Sequence, residues 1–167
     1  MNQILKTCKH VLITGGAGFI GGELIIYLLK NTSVKIFNLD KISYASNKRR
    51  IENFLKENNQ INNNRYELLR GDLADEKFTQ STIQYSKPDI VFHLAAESHV
   101  DRSINEPDPF IQSNIIGTFN LLKAVHSYWD KLSDKQQKSF RLHHISTDEV
   151  FGSLGQSGSF NEQSPYS

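Results

Sequence analysis

The sequence predicts an α/β protein built on a doubly wound parallel sheet that is truncated after about five strands. Short apolar strands alternate with longer amphipathic stretches, which is the pattern of a parallel sheet covered by helices on both faces. A glycine-rich turn, Thr14–Gly21, separates the first strand from the first helix, and an acidic residue, Asp40, ends the second strand. A chain of 167 residues suffices for one domain, which would bury roughly 70% of its unfolded surface.

The predicted strands are short runs rich in Val, Ile, Leu and Phe, bounded by polar residues or glycines. They are His10–Gly15, Val34–Asp40, Arg65–Asp72, Asp89–Ala96 and Ser139–Ser146. The amphipathic stretches between them predict helices at Phe19–Lys30, Lys48–Lys56, Glu76–Ser86 and Ile111–Trp129. Pro88 ends the third of these helices, and the two prolines of Asn105–Phe110 predict a turn before the fourth. Glu57–Asn64 is an Asn-rich surface loop. A complete sheet of this kind has about six or seven strands, so residues 1–167 are expected to form an incomplete domain.

The composition argues against several classes of function. The 19 basic and 18 acidic residues nearly balance, so neither nucleic acid nor a membrane surface is indicated as the main partner. Cys8 is the single cysteine and cannot form an intrachain disulfide. The longest apolar run, Leu24–Leu29, is too short to span a bilayer, and the N-terminus has no signal-peptide layout. These features predict a soluble, cytoplasmic protein.

The glycine-rich turn TGGAGFIG is typical of a dinucleotide-binding loop. It matches G-x-G-x-x-G at Gly16, Gly18 and Gly21, and G-x-x-G-x-x-G at Gly15, Gly18 and Gly21. Glycines let backbone N–H groups approach a pyrophosphate, and the helix N-terminus adds partial positive charge. A glycine pattern alone would equally fit a tight turn, but here a strand precedes it and a helix follows, which favours dinucleotide binding.

Asp40 lies 19 residues after Gly21, at the end of the second strand. A carboxylate there can accept hydrogen bonds from the adenosine ribose and repels a 2′-phosphate, which favours NAD over NADP. The basic segment Asn47–Arg50 could instead bind a phosphate, but such a run is more often the solvated start of a helix, and we interpret it so.

Two further strand ends carry candidate binding residues. Asp72, after the third strand, could accept from an adenine amine or could cap the next helix, and spacing leaves both open. Ala95 and Ala96, after the fourth strand, are small enough for a cofactor to lie against the backbone. His93 and His99 raise the question of a metal, but no metal-binding motif surrounds them, so no metal site is predicted.

The fifth strand is followed by two adjacent carboxylates, Asp148 and Glu149. Neighbouring side chains in a strand point to opposite faces, so both can address one substrate only if the backbone leaves strand geometry near Thr147. They would then form an acid and a base at the carboxyl edge of the sheet. The residues alone favour the simpler alternative, a capped and solvated turn.

Several blocks of sequence carry a resemblance to a known family. They are VLITGGAGFIG, NLDKISYASN, GDLAD, HLAAESHVDRSI, QSNIIGTFNLL and HHISTDEVFG. With these blocks the chain resembles the extended short-chain dehydrogenase/reductase superfamily, its NAD-dependent epimerase/dehydratase family, and within it the dTDP-glucose 4,6-dehydratases. The glycine motif and HLAA are shared with epimerases, whereas AAESHVDRSI and STDEVFG are more specific, because relatives without a dehydration step have no Asp-Glu pair there.

The resemblance implies site residues at the matching positions. Ser98 and Thr147 would contact the sugar, and Thr147, Asp148 and Glu149 would be catalytic. Ser113 stands where the family has Thr and keeps the hydroxyl. The NAD-binding positions would be Gly15, Gly18, Phe19, Ile20, Gly21, Asp40, Lys41, Ile42, Ser43, Asp72, Leu73, Leu94, Ala95, Ala96, Glu97, Ser98 and Ser113.

The resemblance also implies a lyase mechanism with an internal redox cycle. Hydride leaves C4 of the sugar for NAD, Glu149 removes the C5 proton, Asp148 protonates the departing C6 hydroxyl, and the hydride returns to C6. Each such acid or base is worth about 10²–10⁴-fold. The product would be a 4-keto-6-deoxy nucleotide sugar, and the full-length family implies a homodimer.

The chain departs from the family at three further places. Ser46 replaces a usual Gly, and Phe151 replaces a usual Tyr. The family's catalytic Tyr-x-x-x-Lys pair aligns beyond residue 167, and Tyr166 matches an earlier tyrosine. The sequence therefore predicts an N-terminal fragment that is inactive alone and has no C-terminal substrate domain. The alternatives are a UDP- or GDP-sugar epimerase or dehydratase, and a non-catalytic dinucleotide-binding remnant.

Overall fold

The computed structural model of the chain describes residues 7–58, 61, 63–155 and 157–167. These residues form a five-stranded sheet in which every strand pair is parallel. Its order is β3-β2-β1-β4-β5, which confirms the predicted doubly wound sheet. The strands are β1 (His10–Thr14), β2 (Lys35–Asp40), β3 (Tyr66–Arg70), β4 (Ile90–His93) and β5 (Arg141–His144).

Helices lie on both faces of this sheet. The described helices are α1 (Phe19–Asn31), α2 (Lys48–Glu57), α3 (Glu76–Ser86), α4 (Val100–Asn105), α5 (Asp108–Phe110), a π-helical stretch (Ile111–Gly117), α6 (Thr118–Trp129) and α7 (Asp134–Ser139). Short 3₁₀ turns occupy Asn63–Arg65 and Asp148–Phe151. Among the described residues, no helix has the length and apolar character needed to cross a bilayer.

The strand order places a topological switch point beside β1. Thr14 at the end of β1 pairs with Leu39 of β2 on one side and with His93 of β4 on the other. The chain proceeds outward through β2 and β3, then returns to the other side of β1 through β4 and β5. Open sheets of this type bind ligands in the crevice outside the carboxyl ends of the strands at this point.

Two apolar clusters pack against the two faces of the sheet. Alternation along β1 divides its side chains, with Val11 and Ile13 in one cluster and Leu12 in the other. The first cluster adds residues of α1 and α2, including Ile25, Leu28, Leu29, Ile51 and Phe54. The second adds residues of α3 and α6, including Ile83, Leu121, Ala124 and Val125. The sheet is therefore buried on both faces at β1, as parallel sheets require.

The predicted helices are confirmed with small differences at their ends. Glu76–Ser86 matches α3 residue for residue, since Asp75 caps its first turn through the Phe78 N–H and Lys87 ends it in the left-handed conformation. The predicted helix Ile111–Trp129 begins as the π-helical stretch before it becomes α6. The sequence analysis did not predict α4 and α7, which are only six residues each.

An anchor that the sequence pattern did not indicate lies directly after the predicted Asn-rich loop. Residues 59, 60 and 62 of this loop lie outside the described residues. Arg65, predicted as the first residue of a strand, ends a 3₁₀ turn instead. Its guanidinium donates to the carbonyl oxygens of Leu29, Thr32 and Val34, at 3.2, 2.6 and 3.1 Å. The side chain thus satisfies carbonyls around the end of α1, where a helix leaves them without partners.

The fifth strand is an edge of the described sheet. It spans Arg141–His144 rather than the predicted Ser139–Ser146, because α7 extends to Ser139. It pairs with β4 alone, and the side chains of Arg141, His143 and His144 are exposed. In the described sheet β5 is therefore an open edge, with backbone groups available for pairing with another strand.

Candidate functional site

A cleft lies at the carboxyl ends of β1, β2 and β4, at the switch point of the sheet. It holds about 680 Å³ of empty space, part of which is open to solvent. The loops that follow these strands and β3 form its walls, together with Ser113 of the π-helical stretch. Thirteen of the predicted binding residues line it: Gly15, Gly18, Asp40, Lys41, Ser43, Asp72, Leu73, Leu94, Ala95, Ala96, Glu97, Ser98 and Ser113.

The glycine loop packs directly against the loop after β4. Gly15 has φ +73°, and a Cβ atom there would lie 2.6 Å from the backbone nitrogen of Ala95. A Cβ atom on Gly21 would lie 2.4 Å from the carbonyl oxygen of Gly15. Both positions therefore require glycine, one for its conformation and both for space. The consequence is a tight turn that leads from β1 straight into α1.

The N-terminus of α1 opens towards this turn without a side-chain cap. Gly18 is the N-cap residue, and the first turn contains no acidic residue. Phe19 and Ile20 begin the helix with exposed side chains. The first N–H groups of a helix lack intrahelical partners, and the helix dipole adds positive charge there. This end of the helix is suited to a phosphate group.

Asp40 is buried beneath the loops that it connects. Its Oδ2 accepts from the Ala17 N–H at 2.9 Å, and its Oδ1 accepts from the Ile42 N–H at 2.7 Å and from Ser46 Oγ at 3.1 Å. The carboxylate therefore fastens the glycine loop to the loop after β2. An ionised carboxylate has about four acceptor positions, so these three bonds leave capacity for one more donor. Its role as the ribose acceptor stays a prediction.

An ion pair crosses the cleft from the β2 loop to the β4 loop. Lys41 Nζ lies 2.7 Å from Glu97 Oε1 and 2.7 Å from Ser113 Oγ. Asn114 holds the backbone of Glu97 independently, because its Oδ1 accepts from the Glu97 N–H and its Nδ2 donates to the Glu97 carbonyl. Ser113 and Asn114 belong to the π-helical stretch, a feature frequent at functional sites.

Asp72 forms a local turn rather than a helix cap. Its Oδ1 accepts from the Ala74 N–H at 2.9 Å, and the cap of α3 is Asp75. The alternative that Asp72 caps the next helix is therefore wrong, because Asp75 is the cap. Asp72 also lines the cleft, so contact with an adenine remains a prediction.

His93 is buried below the cleft. Its Nδ1 lies 2.7 Å from Thr14 Oγ1, and its Nε2 lies 3.0 Å from Thr118 Oγ1. Burial, with a smaller contribution from the charge of His144, lowers the pKa of His93 to about 4. His93 is therefore a neutral packing residue at neutral pH. No group of three or more His, Cys, Asp or Glu side chains suited to a metal ion occurs within the described part of the chain.

The candidate catalytic residues follow β5 at the same edge of the sheet. The strand ends at His144, and Thr147 is the extended N-cap of the 3₁₀ turn that contains Asp148 and Glu149. Thr147 Oγ1 accepts from the Glu149 N–H and donates to Asp148 Oδ1, both at 3.4 Å. This confirms that the backbone leaves strand geometry near Thr147. All three side chains are exposed and lie outside the cleft lining, so their catalytic role stays a prediction.

The chain after this turn folds back onto it. Phe151 packs against Phe160 and Tyr166, with ring centroids 5.3 and 5.5 Å away. The Ser167 N–H donates to the carbonyl oxygen of Val150 at 3.1 Å. Phe151 thus uses its ring as a packing surface, which needs no tyrosine hydroxyl at this position.

Comparison with known proteins identifies the family. The family model described as GDP-mannose 4,6 dehydratase matches residues 12–167. The chain belongs to this family. The dTDP-glucose 4,6-dehydratases of Neisseria meningitidis and Haemophilus influenzae are 44% and 45% identical over 159 and 161 residues, or 95% and 94% of this chain. These matches cover 43% and 45% of the two relatives, so the chain spans less than half of their length.

Solved structures of dehydratases and epimerases share the fold. DesIV, a dTDP-glucose 4,6-dehydratase from Streptomyces venezuelae crystallised with NAD and TYD, is 33% identical with a TM-score of 0.75. A UDP-glucose 4-epimerase from Thermus thermophilus in complex with NAD is 25% identical with a TM-score of 0.74. Each likeness covers 94% of this chain, and it covers 45% of the first structure and 44% of the second.

The structure separates the predicted dehydratase residues into three groups. Thirteen line the cleft, as given above. Phe19, Ile20 and Gly21 of α1 and Ile42 of the β2 loop lie next to lining residues in the sequence but do not line the cleft. Thr147, Asp148 and Glu149 lie apart from its lining. Cleft residues that the site prediction omitted are Leu39, Gly71, His99 and a run of the β2 loop, Tyr44–Ser46. The run could have been found, since it lies within the NLDKISYASN block that carries the resemblance.

Proposed function

We propose that the cleft binds NAD and that the chain forms the dinucleotide-binding half of a dehydratase acting on dTDP-glucose. The observation that carries this proposal is the meeting of an uncapped helix N-terminus, a glycine loop and Asp40 in one cleft. The crystal structures of related proteins with NAD bound support the choice of cofactor.

The residues present fit a dinucleotide. The N–H groups at the start of α1 would hold the pyrophosphate. Gly15, which packs closely against Ala95, and Gly18 line the cleft beside these groups, so no side chain separates them from a ligand there. Asp40 would accept from the adenosine ribose with its remaining acceptor position. NAD, when bound, supplies the hydride acceptor of the reaction.

The dehydration step would fall to the residues after β5. We assign Glu149 as the base that removes a proton from C5 of the sugar and Asp148 as the acid that protonates the departing C6 hydroxyl. Thr147 and Ser98 would hold sugar hydroxyls. The position of the 3₁₀ turn supports this assignment, since β5 pairs with β4 and their carboxyl ends are adjacent.

A dTDP-glucose dehydratase is favoured over an epimerase by identity. Over the same 94% of the chain, the DesIV dehydratase is 33% identical and the Thermus thermophilus epimerase 25%. We further propose that activity requires the family's catalytic Tyr-x-x-x-Lys pair, which aligns beyond residue 167, and a C-terminal substrate domain. The full-length protein is then expected to be a cytoplasmic homodimer.

Calorimetry on the chain tests the binding proposal. We expect NAD⁺ to bind more tightly than NADP⁺, because Asp40 repels a 2′-phosphate. Asp40→Asn is the variant of choice, since it removes the charge and keeps the volume of a side chain that holds three donors. It should narrow the preference by roughly tenfold. Asp134→Asn, which changes an exposed acid on α7, serves as the control. A preference for NADP⁺ in the unmodified chain would refute the proposal.

A further inference from the structure

The cleft contains a cationic side chain, Lys41, that could bind the 2′-phosphate of NADP. Lys41 follows Asp40 directly, in the loop after β2. In dinucleotide sites the ribose acceptor lies at the end of this strand, and a basic side chain near it accommodates the 2′-phosphate of NADP. A lysine at this position would therefore weaken the selectivity that Asp40 provides, if its ammonium group were available.

The structure directs Lys41 away from that role. Its Nζ makes two short contacts across the cleft, with Glu97 Oε1 and with Ser113 Oγ. The Glu97 side chain is only 10% exposed, whereas that of Lys41 is 34% exposed. The carboxylate is thus a shielded partner that keeps the more exposed cation on the β4 side of the cleft, and partial burial strengthens such a pair.

A second cation near the cleft is held in the same way. Arg50 forms an ion pair with Glu23, donates to the Phe19 carbonyl at 3.1 Å and lies over the Phe19 ring at 5.5 Å. This arrangement agrees with the interpretation of Asn47–Arg50 as a helix start rather than a phosphate site. Lys41 and Arg50 are each paired with a glutamate. Of these five charged side chains, Asp40 is therefore the one without an oppositely charged partner, and it lies at the adenosine end of the cleft.

We propose that Glu97 is a specificity-determining residue that excludes NADP by holding Lys41 across the cleft. This inference rests on the proposed binding of NAD. Two devices then act together: Asp40 repels a 2′-phosphate, and Glu97 withholds the cation that would offset the repulsion. Glu97 is suited to the second task because Asn114 fixes its backbone, so its carboxylate has a defined position.

The test compares the NADP⁺-to-NAD⁺ affinity ratio of variants by calorimetry. Glu97→Gln keeps the volume and the Asn114 contacts but removes the charge that holds Lys41. We expect the ratio to shift towards NADP⁺ by about tenfold, the usual worth of a hydrogen bond to a charged group. Adding Lys41→Gln should return the ratio to within about twofold of its starting value. Glu76→Gln, which breaks the exposed ion pair between Glu76 of α3 and Lys123 of α6, should leave the ratio unchanged.

A second variant protects the test against misfolding of the first. Ser113→Ala removes the other contact of Lys41 and only one oxygen atom, and it should shift the ratio in the same direction by a smaller factor. A chain that binds NAD⁺ but shows the same ratio in Glu97→Gln and Ser113→Ala as in the unmodified protein would overturn this inference alone. An unmodified chain that binds neither dinucleotide would overturn the proposed function and this inference with it.

Discussion

The central strand β1 and the edge strand β5 differ in how completely the described chain buries them and supports the loops that follow them. At β1 the side chains of Val11, Leu12 and Ile13 are fully buried, and the loop after the strand is held by its neighbours in space. At β5 three of four side chains are exposed, and the following turn is held by Thr147 and by the last residues of the chain. The proposed NAD cleft is thus built from long-range contacts, whereas the proposed acid and base rest on local ones.

This difference shows which contacts position the residues of each half of the proposed reaction. Asp40, Lys41 and Glu97 are positioned by partners that are distant in sequence, so the cleft is preorganised before any ligand enters. Asp148 and Glu149 have no such partners among the described residues beyond Thr147. Solvated carboxylates are poorly suited to acid–base work, so we expect substrate or further protein to desolvate them.

The largest expected effect is on catalysis. In a chimera that joins this chain to the remaining half of the Haemophilus influenzae relative, Asp148→Asn or Glu149→Gln should reduce product formation from dTDP-glucose by about 10²–10⁴-fold. C4 oxidation should persist as absorbance of the reduced cofactor. Asp134→Asn is the matched control on the exposed face of α7. Full turnover by the double variant would show that neither carboxylate is catalytic and that the Thr147–Phe151 segment is only a solvated turn.

The next effect concerns stability across one row of the sheet. Leu12, Val91 and Leu142 occupy neighbouring positions on β1, β4 and β5. Leu12→Ala should lower the free energy of unfolding by about 2–5 kcal/mol, because a cavity would remain in a fully buried site. Leu142→Ala on the half-buried edge strand should cost about 1 kcal/mol. Urea denaturation compares the two, and equal losses would contradict the contrast between the strands.

The sequence predicted those parts of the molecule whose geometry is local or set by a strong pattern. The helix Glu76–Ser86 follows from its amphipathic spacing and from Pro88 as stop, and the glycine loop follows from the spacing of Gly15, Gly18 and Gly21. In both cases the residues that determine the feature lie within a few positions of it in the sequence.

Contacts that join distant residues could not be predicted. The sequence around Lys41 and Glu97 does not indicate that these two side chains, 56 residues apart, form an ion pair. No local pattern indicates that Arg65 contacts the end of α1. The π-helical stretch was also missed, because its apolar spacing resembles that of an ordinary helix. The resemblance named Lys41 and Glu97 as cleft residues, but their ion pair needs the folded chain.

A pH-dependent effect contrasts two facing histidines. His93 of β4 and His144 of β5 are paired, with ring centroids 4.9 Å apart, but only His93 is buried. The pKa of His93 is lowered from 6.5 to about 4, so unfolding takes up a proton between these values. Stability is therefore fully present above about pH 6.5 and is lost as the pH falls towards 4, by about 3 kcal/mol.

Replacement of each histidine checks this assignment. His93→Gln should flatten the change in urea midpoint between pH 7.5 and pH 4.5, and His144→Gln should alter it much less. An unchanged pH dependence in His93→Gln would show that other groups control stability in this range.

The smallest expected effect sharpens the comparison between the cleft and the chain that follows the 3₁₀ turn. Gly15→Ala places a side chain at φ +73°, with its Cβ 2.6 Å from the Ala95 backbone nitrogen. Strain of this kind costs about 1–3 kcal/mol. Gly155→Ala is the matched control, because a Cβ atom there meets no atom within 4 Å and its φ is not positive. Thermal unfolding should separate the two variants, and calorimetry should show weaker NAD⁺ binding for Gly15→Ala alone, since the shifted loop changes the approach to the start of α1. If both variants unfold at the same temperature and bind NAD⁺ equally, the glycine loop does not have the tight packing against the β4 loop on which the proposed cleft depends.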